Sequence, residues 1–417
     1  MTSLTQKIHY ELLHCATKIT RSVQKSVHME SLSRLTLNLA EEIEEQCYQP
    51  EAYTRFAISD PKLREIYAPS FRDRLAQSWL VYHLNPAVER VLIDDTFANR
   101  IGKGTLAAVQ RAQHFMRQPQ HSHYLQLDIQ SFFNSIWLPE LMNQGQEIVH
   151  RYFQDHPYQE VLNALLIQCI THPIAQNTYT VSGDRTLLAT IPPHKTLAAA
   201  GVNRGLPLGS AASQLFANLY LNPLDHFIKH TLRIKGYIRY MDDLLLLGNS
   251  SAQLSEYRTE IKNILQQKLR LNLHPTKQII QTNKQGADYL GYKVYPHYLH
   301  LRQRSIDKLF AWLRFFNACL GNPPPHRFWI PDTIEWLNVI QSQPVTPNYF
   351  LLQRMQALIN SYFGLMKNTQ HYRLRKKLYQ KHFGLLKRYF LPSDANYNAI
   401  HIKKYCLQDW IAQQHEQ

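Results

Sequence analysis

Residues 237–248 read Tyr237-Ile-Arg-Tyr-Met-Asp-Asp-Leu-Leu-Leu-Leu-Gly248, two short apolar runs joined through adjacent carboxylates. Apolar runs of this length suit buried strands, so the stretch predicts a β-hairpin with Asp242 and Asp243 at its turn. Asp is an ordinary turn residue, and a solvated Asp-Asp turn is the plain alternative. Two ionised carboxylates held side by side repel each other, however, and call for a cation or a basic partner. The rest of the chain has to decide between these readings.

A chain of 417 residues exceeds one ordinary core and predicts two or three subdomains. Lys and Arg total 46 against 31 Asp and Glu, a formal charge of +15 that points to a polyanionic partner, nucleic acid before a membrane surface. No apolar run reaches the length of a spanning helix, and Met1 to Lys18 lacks the apolar centre of a signal peptide, so a cytoplasmic protein without membrane contact is expected. Five scattered cysteines (Cys15, Cys47, Cys169, Cys319 and Cys406) suggest buried thiols rather than a zinc ribbon or a disulfide framework. The 21 histidines show no ligand spacing of the HExxH kind, and no zinc is assigned.

Along the chain, Leu32, Leu35, Leu39 and Ile43 fall at helical spacing within a lead-in from about Gln6 to Tyr48, whose acidic run Glu41 to Glu45 reads as a solvated face. Arg64, Arg72, Arg74, Arg100 and Lys103 stand among strand-like and helical pieces between Lys62 and Ala108, with Lys103 flanked by Gly102 and Gly104. In His123 to Ile136, apolar Leu125 and Leu127 alternate with polar neighbours up to Asp128, which predicts a strand ending at that carboxylate; a helix cap is the other use of such an Asp. Helical positions Val161, Leu165 and Ile167 precede a turn or extended linker at Pro192-Pro193. Gly205, Pro207 and Gly209 form a loop, and Leu215, Phe216, Leu219, Tyr220 and Leu224 after it have helical spacing. Beyond the hairpin come a helical stretch over Glu256 to Leu269, Lys277, and a tight turn at Leu290-Gly291-Tyr292. Helical period returns through Leu309, Leu313 and Phe316 and again from Tyr349 to Tyr362, with a Pro-rich connection at Pro323 to Pro325. His371 to Phe390 carries seven Lys or Arg and no acid, interleaved with Tyr372, Tyr379 and Tyr389.

The Tyr240-Met241-Asp242-Asp243 string, Asp128 followed by Phe132-Phe133, and Leu206-Pro207-Leu208-Gly209 just before the hairpin together resemble the motifs of reverse transcriptases, from about Tyr48 to Tyr389. The resemblance implies an α+β right-hand polymerase with an antiparallel palm sheet: an N-terminal helical lead-in over 1–60, fingers and palm over 61–300, and a basic helical thumb with a C-terminal extension over 301–417. It implies an RNA-directed DNA polymerase in which Asp128, Asp242 and Asp243 are catalytic and hold two Mg²⁺ ions, with Mn²⁺ as an alternative. Arg72, Arg74, Lys103, Phe133, Leu208, Gln214 and Lys277 become the nucleotide-binding set, Phe133 as the steric gate under the sugar and Lys277 near the leaving pyrophosphate. Leu290, Gly291 and Tyr292 become the primer grip, and Arg373, Arg375, Lys376 and Lys377 contacts to the nucleic-acid backbone.

Many reverse transcriptases carry Gln at the position of Leu208. A hydrophobic residue there, followed by Ser213-Gln214, resembles the enzymes of diversity-generating retroelements, which make error-prone cDNA mutated at adenines in mutagenic retrohoming. Partners expected on that basis are a template RNA, the RNA/cDNA duplex, deoxynucleoside triphosphates and a small, basic, oligomeric accessory protein. About a hundred residues follow the palm, the size of a thumb, and the reading expects no ribonuclease H or DNA endonuclease domain among them. The alternatives are an antiviral-defence reverse transcriptase of bacteria and a non-catalytic nucleic-acid-binding scaffold with a palm fold.

Overall fold

The structure is a computed structural model and describes residues 3–20, 29–59, 62–175, 179–320 and 349–406. The Pro-rich connection at Pro323 to Pro325 lies outside the described residues. The fold mixes helices with antiparallel sheets, and the chain divides into two compact units. One comprises residues 1–108 and 123–280, the other 109–122 and 281–417, so 281–300 group with the C-terminal helices rather than with the segment that precedes them.

In the first unit, strands β1 (Thr54–Ile58) and β2 (Arg64–Ala68) pair antiparallel, and the short β4 (Thr180–Val181) joins β1 in parallel. The second sheet holds β3 (His123–Ile129), β5 (Tyr237–Tyr240), β6 (Asp243–Gly248) and β7 (Leu273–Thr282) in the order β5-β6-β3-β7. Pro275 lies on β7, an end strand, where the missing N–H of proline is tolerated. Leu125 faces Leu246 and Leu127 faces Leu244 across the β3/β6 ladder. These four side chains and Tyr237 are fully buried in one core with the helices Phe71–Val91, Ala211–Tyr220 and Ser251–Leu269. Because side chains alternate between faces of a strand, Asp128 and its cross-strand partner Asp243 stand on the opposite face of the sheet from this core.

The hairpin forms as expected, with one refinement. Tyr240 pairs with Asp243, which leaves Met241 and Asp242 as the two-residue turn and makes Asp243 the first residue of β6. Met241 takes the positive φ of the turn, 56°. The helical lead-in comprises two helices, Leu4–Thr20 and Met29–Glu44, and its acidic run is not wholly solvated: Glu42 pairs with Arg72.

The loop Gly205–Ser210 is moored to β2 and to the turn after β3. Leu208 O accepts from Tyr67 N (2.8 Å) and Leu206 N donates to Phe133 O (2.9 Å). Ser210 caps the following helix by accepting from Ser213 N, while its hydroxyl donates to Gln77 Oε1 (2.7 Å), whose amide donates to the Tyr53 hydroxyl (2.8 Å). Gly209 is required for this approach, because its φ is +119° and a Cβ there would lie 2.7 Å from Tyr67 O.

The second unit contains the antiparallel sheet β8 (Ala287–Tyr289), β9 (Tyr292–Val294) and β10 (Leu299–Leu301), and the hairpin of β11 (Phe390–Pro392) with β12 (Ile400–Ile402). Its long helices are Gln303–Leu320 and Tyr349–Lys367, followed by Tyr372–Lys377. Asn283, itself buried, donates to Met116 O and His121 O and fixes residues 116–121 to this unit. Among the described residues no helix is long and apolar enough to cross a membrane.

The mooring of the loop predicts an asymmetry between two glycines. Gly209→Ala should lower unfolding free energy by about 1–3 kcal/mol, since strain and a backbone clash add. Gly102→Ala, with φ +75° but nothing within 4 Å of the new Cβ, should cost only about 1 kcal/mol. Urea denaturation of both variants measures the difference, and equal losses would remove the clash from the account.

Candidate active site

Three acids meet at one end of the four-stranded sheet because two local structures end there. β3 delivers Asp128 one residue before its end, and the hairpin turn delivers Asp242 and then Asp243, directly across the ladder from Asp128. The Asp242 carboxyl is pushed up from its ordinary value, first by loss of water around it and then by the nearby Asp128 carboxylate. Arg64 and Lys277 pull the other way, which places both cations within electrostatic reach of Asp242. Lys277 Nζ also lies 2.6 Å from Asp128 Oδ2, so β7 supplies a direct counter-charge.

Among the described residues no three His, Cys, Asp or Glu side chains form a ready-made metal cage. This tempers the expectation of a complete three-acid nest, yet the donor set still fits a hard divalent cation. Mg²⁺ characteristically takes one or two carboxylates and completes its shell with water and substrate phosphate oxygens. Two carboxylates close enough for one to raise the other, as Asp128 does Asp242, are relieved by such a charge.

The remaining expected residues fall into three groups. Phe133 lies in the helical turn Phe132–Ser135, half-buried, and its carbonyl holds the Gly205–Ser210 loop that carries Leu208, also half-buried. Gln214 is exposed on the following helix, whereas Ser213 is buried. Gly102 and Gly104 take positive φ around Lys103, whose ammonium pairs with Asp94 (2.7 Å) and sits 5.1 Å from the Phe97 ring. The helix after this turn touches the hairpin through Thr105 Oγ1 and Tyr240 OH, 3.3 Å apart.

Arg74 lies over the Phe71 ring (5.5 Å), and its Nε is buried without a hydrogen-bond partner among the described residues. Arg72 requires a correction. Its guanidinium holds Glu42, Asp73 Oδ1 (3.2 Å) and Gln49 O (3.1 Å), so it ties the helix Met29–Glu44 to the helix Phe71–Val91 and has these partners in place of a triphosphate.

In the second unit, Leu290 and Gly291 form the two-residue turn between β8 and β9, both with positive φ (48° and 92°), and Tyr292 is buried in β9. In the basic run, Arg373, Lys376 and Lys377 are exposed. Arg375 is not: it is 4% exposed and donates to Met366 O (2.7 Å), Asn396 O and Asn398 Oδ1. Those carbonyls occupy the donors a phosphate would need, which corrects the expectation of a backbone contact at Arg375.

Two elements of the site escaped sequence reasoning. Arg64 stood out only as one of several cations, and nothing in its neighbours distinguishes it from Arg72. The other is Arg239, whose position two residues from Tyr237 puts it on the core-facing side of β5, an unusual place for a charge.

Solved structures similar to this chain include telomerase from Candida albicans in complex with a TWJ fragment of telomeric RNA, at TM-score 0.41 and 12% identity over 89% of this chain and 63% of that one. Apo telomerase from Candida Tropicalis gives 0.39 and 11% over 90% and 66%. The chain thus spans less than two thirds of these relatives' length. No curated protein matches. The family model for reverse transcriptase (RNA-dependent DNA polymerase) matches residues 59–294, over half of the chain and the whole of the segment from β2 to the hairpin, Lys277 and β9. The chain belongs to the reverse transcriptase family.

Proposed function

We propose that this protein is an RNA-directed DNA polymerase that extends a primer 3′ end with deoxynucleoside triphosphates on an RNA template. The observation that carries the reading is the convergence of Asp128 on β3 with the Met241-Asp242 turn and Asp243, with Lys277 bonded to Asp128. When bound by Asp128, Asp242 and Asp243, a pair of Mg²⁺ ions, or Mn²⁺, supplies the Lewis acidity that makes the primer 3′-hydroxyl a nucleophile and offsets charge on the leaving pyrophosphate. Lys277 neutralises Asp128 and stands beside the developing negative charge. Arg74, Lys103 and Arg64 take the triphosphate; Phe133 lies under the sugar, where a 2′-hydroxyl would clash; Leu208 and Gln214 border the incoming base pair.

Leu290, Gly291 and Tyr292 serve the primer strand, and the exposed Arg373, Lys376 and Lys377 hold the phosphate backbone of the RNA/cDNA duplex. Residues 1–60, 61–300 and 301–417 act as lead-in, fingers with palm, and thumb, in a cytoplasmic enzyme. Leu208 and Ser213-Gln214 support the finer reading of a diversity-generating retroelement, working with a template-repeat RNA and a small basic accessory protein. An antiviral-defence enzyme is the second reading; it shares the palm motifs and differs in genomic surroundings rather than in catalytic residues. Flanking DNA holding near-identical repeats that differ at adenines would favour the retroelement.

Asp242→Asn should lower primer extension on an RNA template by roughly 100-fold or more, several kcal/mol of transition-state stabilisation, and leave RNA/DNA affinity unchanged. Side-by-side extension and binding assays test this, and near-native extension would remove Asp242 from the mechanism. For the subclass, cDNA from the wild type should carry errors concentrated opposite template adenine. Leu208→Gln should reduce them about two- to tenfold, the worth of one hydrogen bond to the incoming pair. Evenly spread errors, the same in both forms, would set the retroelement reading aside.

A further inference from the structure

Beneath the catalytic turn, on the core side of the sheet, lies an ion pair that the reaction scheme does not use. Arg239 of β5 and Asp225 of the helix Asn222–His226 are both 0% exposed. Nε of Arg239 donates to Asp225 Oδ1 and Oδ2 (2.9 Å each), and Nη2 donates to Asp225 Oδ2 (2.6 Å). The other N–H groups reach Asn218 Oδ1 (3.1 Å), Asn218 O (3.2 Å) and Met241 O (3.3 Å), so each guanidinium nitrogen has an acceptor. Asp225 in turn accepts from the Tyr237 hydroxyl (2.6 Å) and Thr96 Oγ1 (3.3 Å). The backbone of Arg239 is clamped as well, its N–H donating to Asp95 O and its carbonyl accepting from Phe97 N, both 3.0 Å.

A buried ion pair is a poor source of stability, because desolvating two charges offsets their attraction, and apolar residues of similar volume often serve as well. What this pair supplies is geometry. The one backbone carbonyl it takes from the hairpin turn belongs to Met241, the positive-φ residue directly before Asp242. The turn has only two residues, so fixing the Met241 carbonyl fixes the peptide plane from which the Asp242 side chain departs.

We propose that Arg239, held by Asp225 and Asn218, is a positioning residue that sets the Met241-Asp242 turn in the orientation needed for nucleotidyl transfer. The proposal rests on the polymerase reading above. A planar fork with donors on both sides is needed, since it must grip a carboxylate and two carbonyls at once; the Lys ammonium, a compact point charge, cannot.

The test compares Arg239→Lys with the double variant Asp225→Leu/Arg239→Met, which removes both charges and keeps approximate volume. In both, kcat for nucleotide incorporation should fall roughly 10- to 100-fold, as expected for a displaced catalytic group, with KM for the nucleotide close to wild type. Amide hydrogen exchange, read by mass spectrometry on peptides spanning 237–248, should quicken in this segment while the denaturation midpoint of the double variant stays near wild type. Wild-type kcat together with unchanged exchange in a folded variant would overturn the proposal. So would a loss of kcat accompanied by exchange that quickens equally across the chain, the mark of a merely structural pair. If the double variant does not fold, Arg239→Lys carries the same outcomes alone. A wild-type protein that extends no primer, with exchange still quickened in the variants only at 237–248, would sink the polymerase reading and leave the positioning role standing.

Discussion

Mutual repulsion between carboxylates is the constraint on which the site depends. Asp128 and Asp242 are close enough for one to raise the other, and water is partly excluded around Asp242, so the arrangement is costly without positive charge nearby. Two neighbouring strands contribute to relieving that cost. β7 brings Lys277 against Asp128, and β2 brings Arg64 toward Asp242. A tight two-residue turn then prevents the acids from drifting apart, which an exposed flexible loop would allow.

The surrounding fold follows from what must be rigid near such a site. Leu125, Leu127, Leu244 and Leu246 bury one face of the sheet, and the acids stand at one end of the other, so packing on the first face fixes geometry on the second. The Gly205–Ser210 loop is held by backbone bonds to Tyr67 and Phe133 and by the Ser210–Gln77–Tyr53 chain, rather than by side-chain packing alone. The spacing of the segments that carry Leu208 and Phe133 is therefore set by the main chain. Membership of the reverse transcriptase family agrees with this construction over 59–294.

Sequence reasoning found what is encoded locally. Alternation up to Asp128, the apolar runs flanking Asp242 and the loop-then-helix at Gly205 each declare themselves within a dozen residues, and each is present as read. It did less well with isolated cations. Arg72, Arg74, Arg373 and Arg375 look alike along the chain, yet Arg72 meets Glu42 from a distant helix and Arg375 is enclosed by carbonyls at 366 and 396. Whether a guanidinium faces solvent depends on partners far away in sequence, and composition carries no trace of them. The Tyr-Ile-Arg-Tyr of β5 did carry one: an Arg in phase with a buried Tyr needs a buried acid, and Asp225 in the preceding helix supplies it.

The position of Pro275 has a consequence for colloidal behaviour. Open sheet edges invite a strand from another molecule. Pro275 has no N–H to offer such a strand, and exposed Lys277 two residues later adds charge to the same edge. The opposite edge, β5, is covered by the Asp95–Phe97 segment through its bonds to Arg239. The sheet that carries the acids is thereby guarded at both margins against edge-to-edge self-association, and the lysine that faces Asp128 is also one of its gatekeepers.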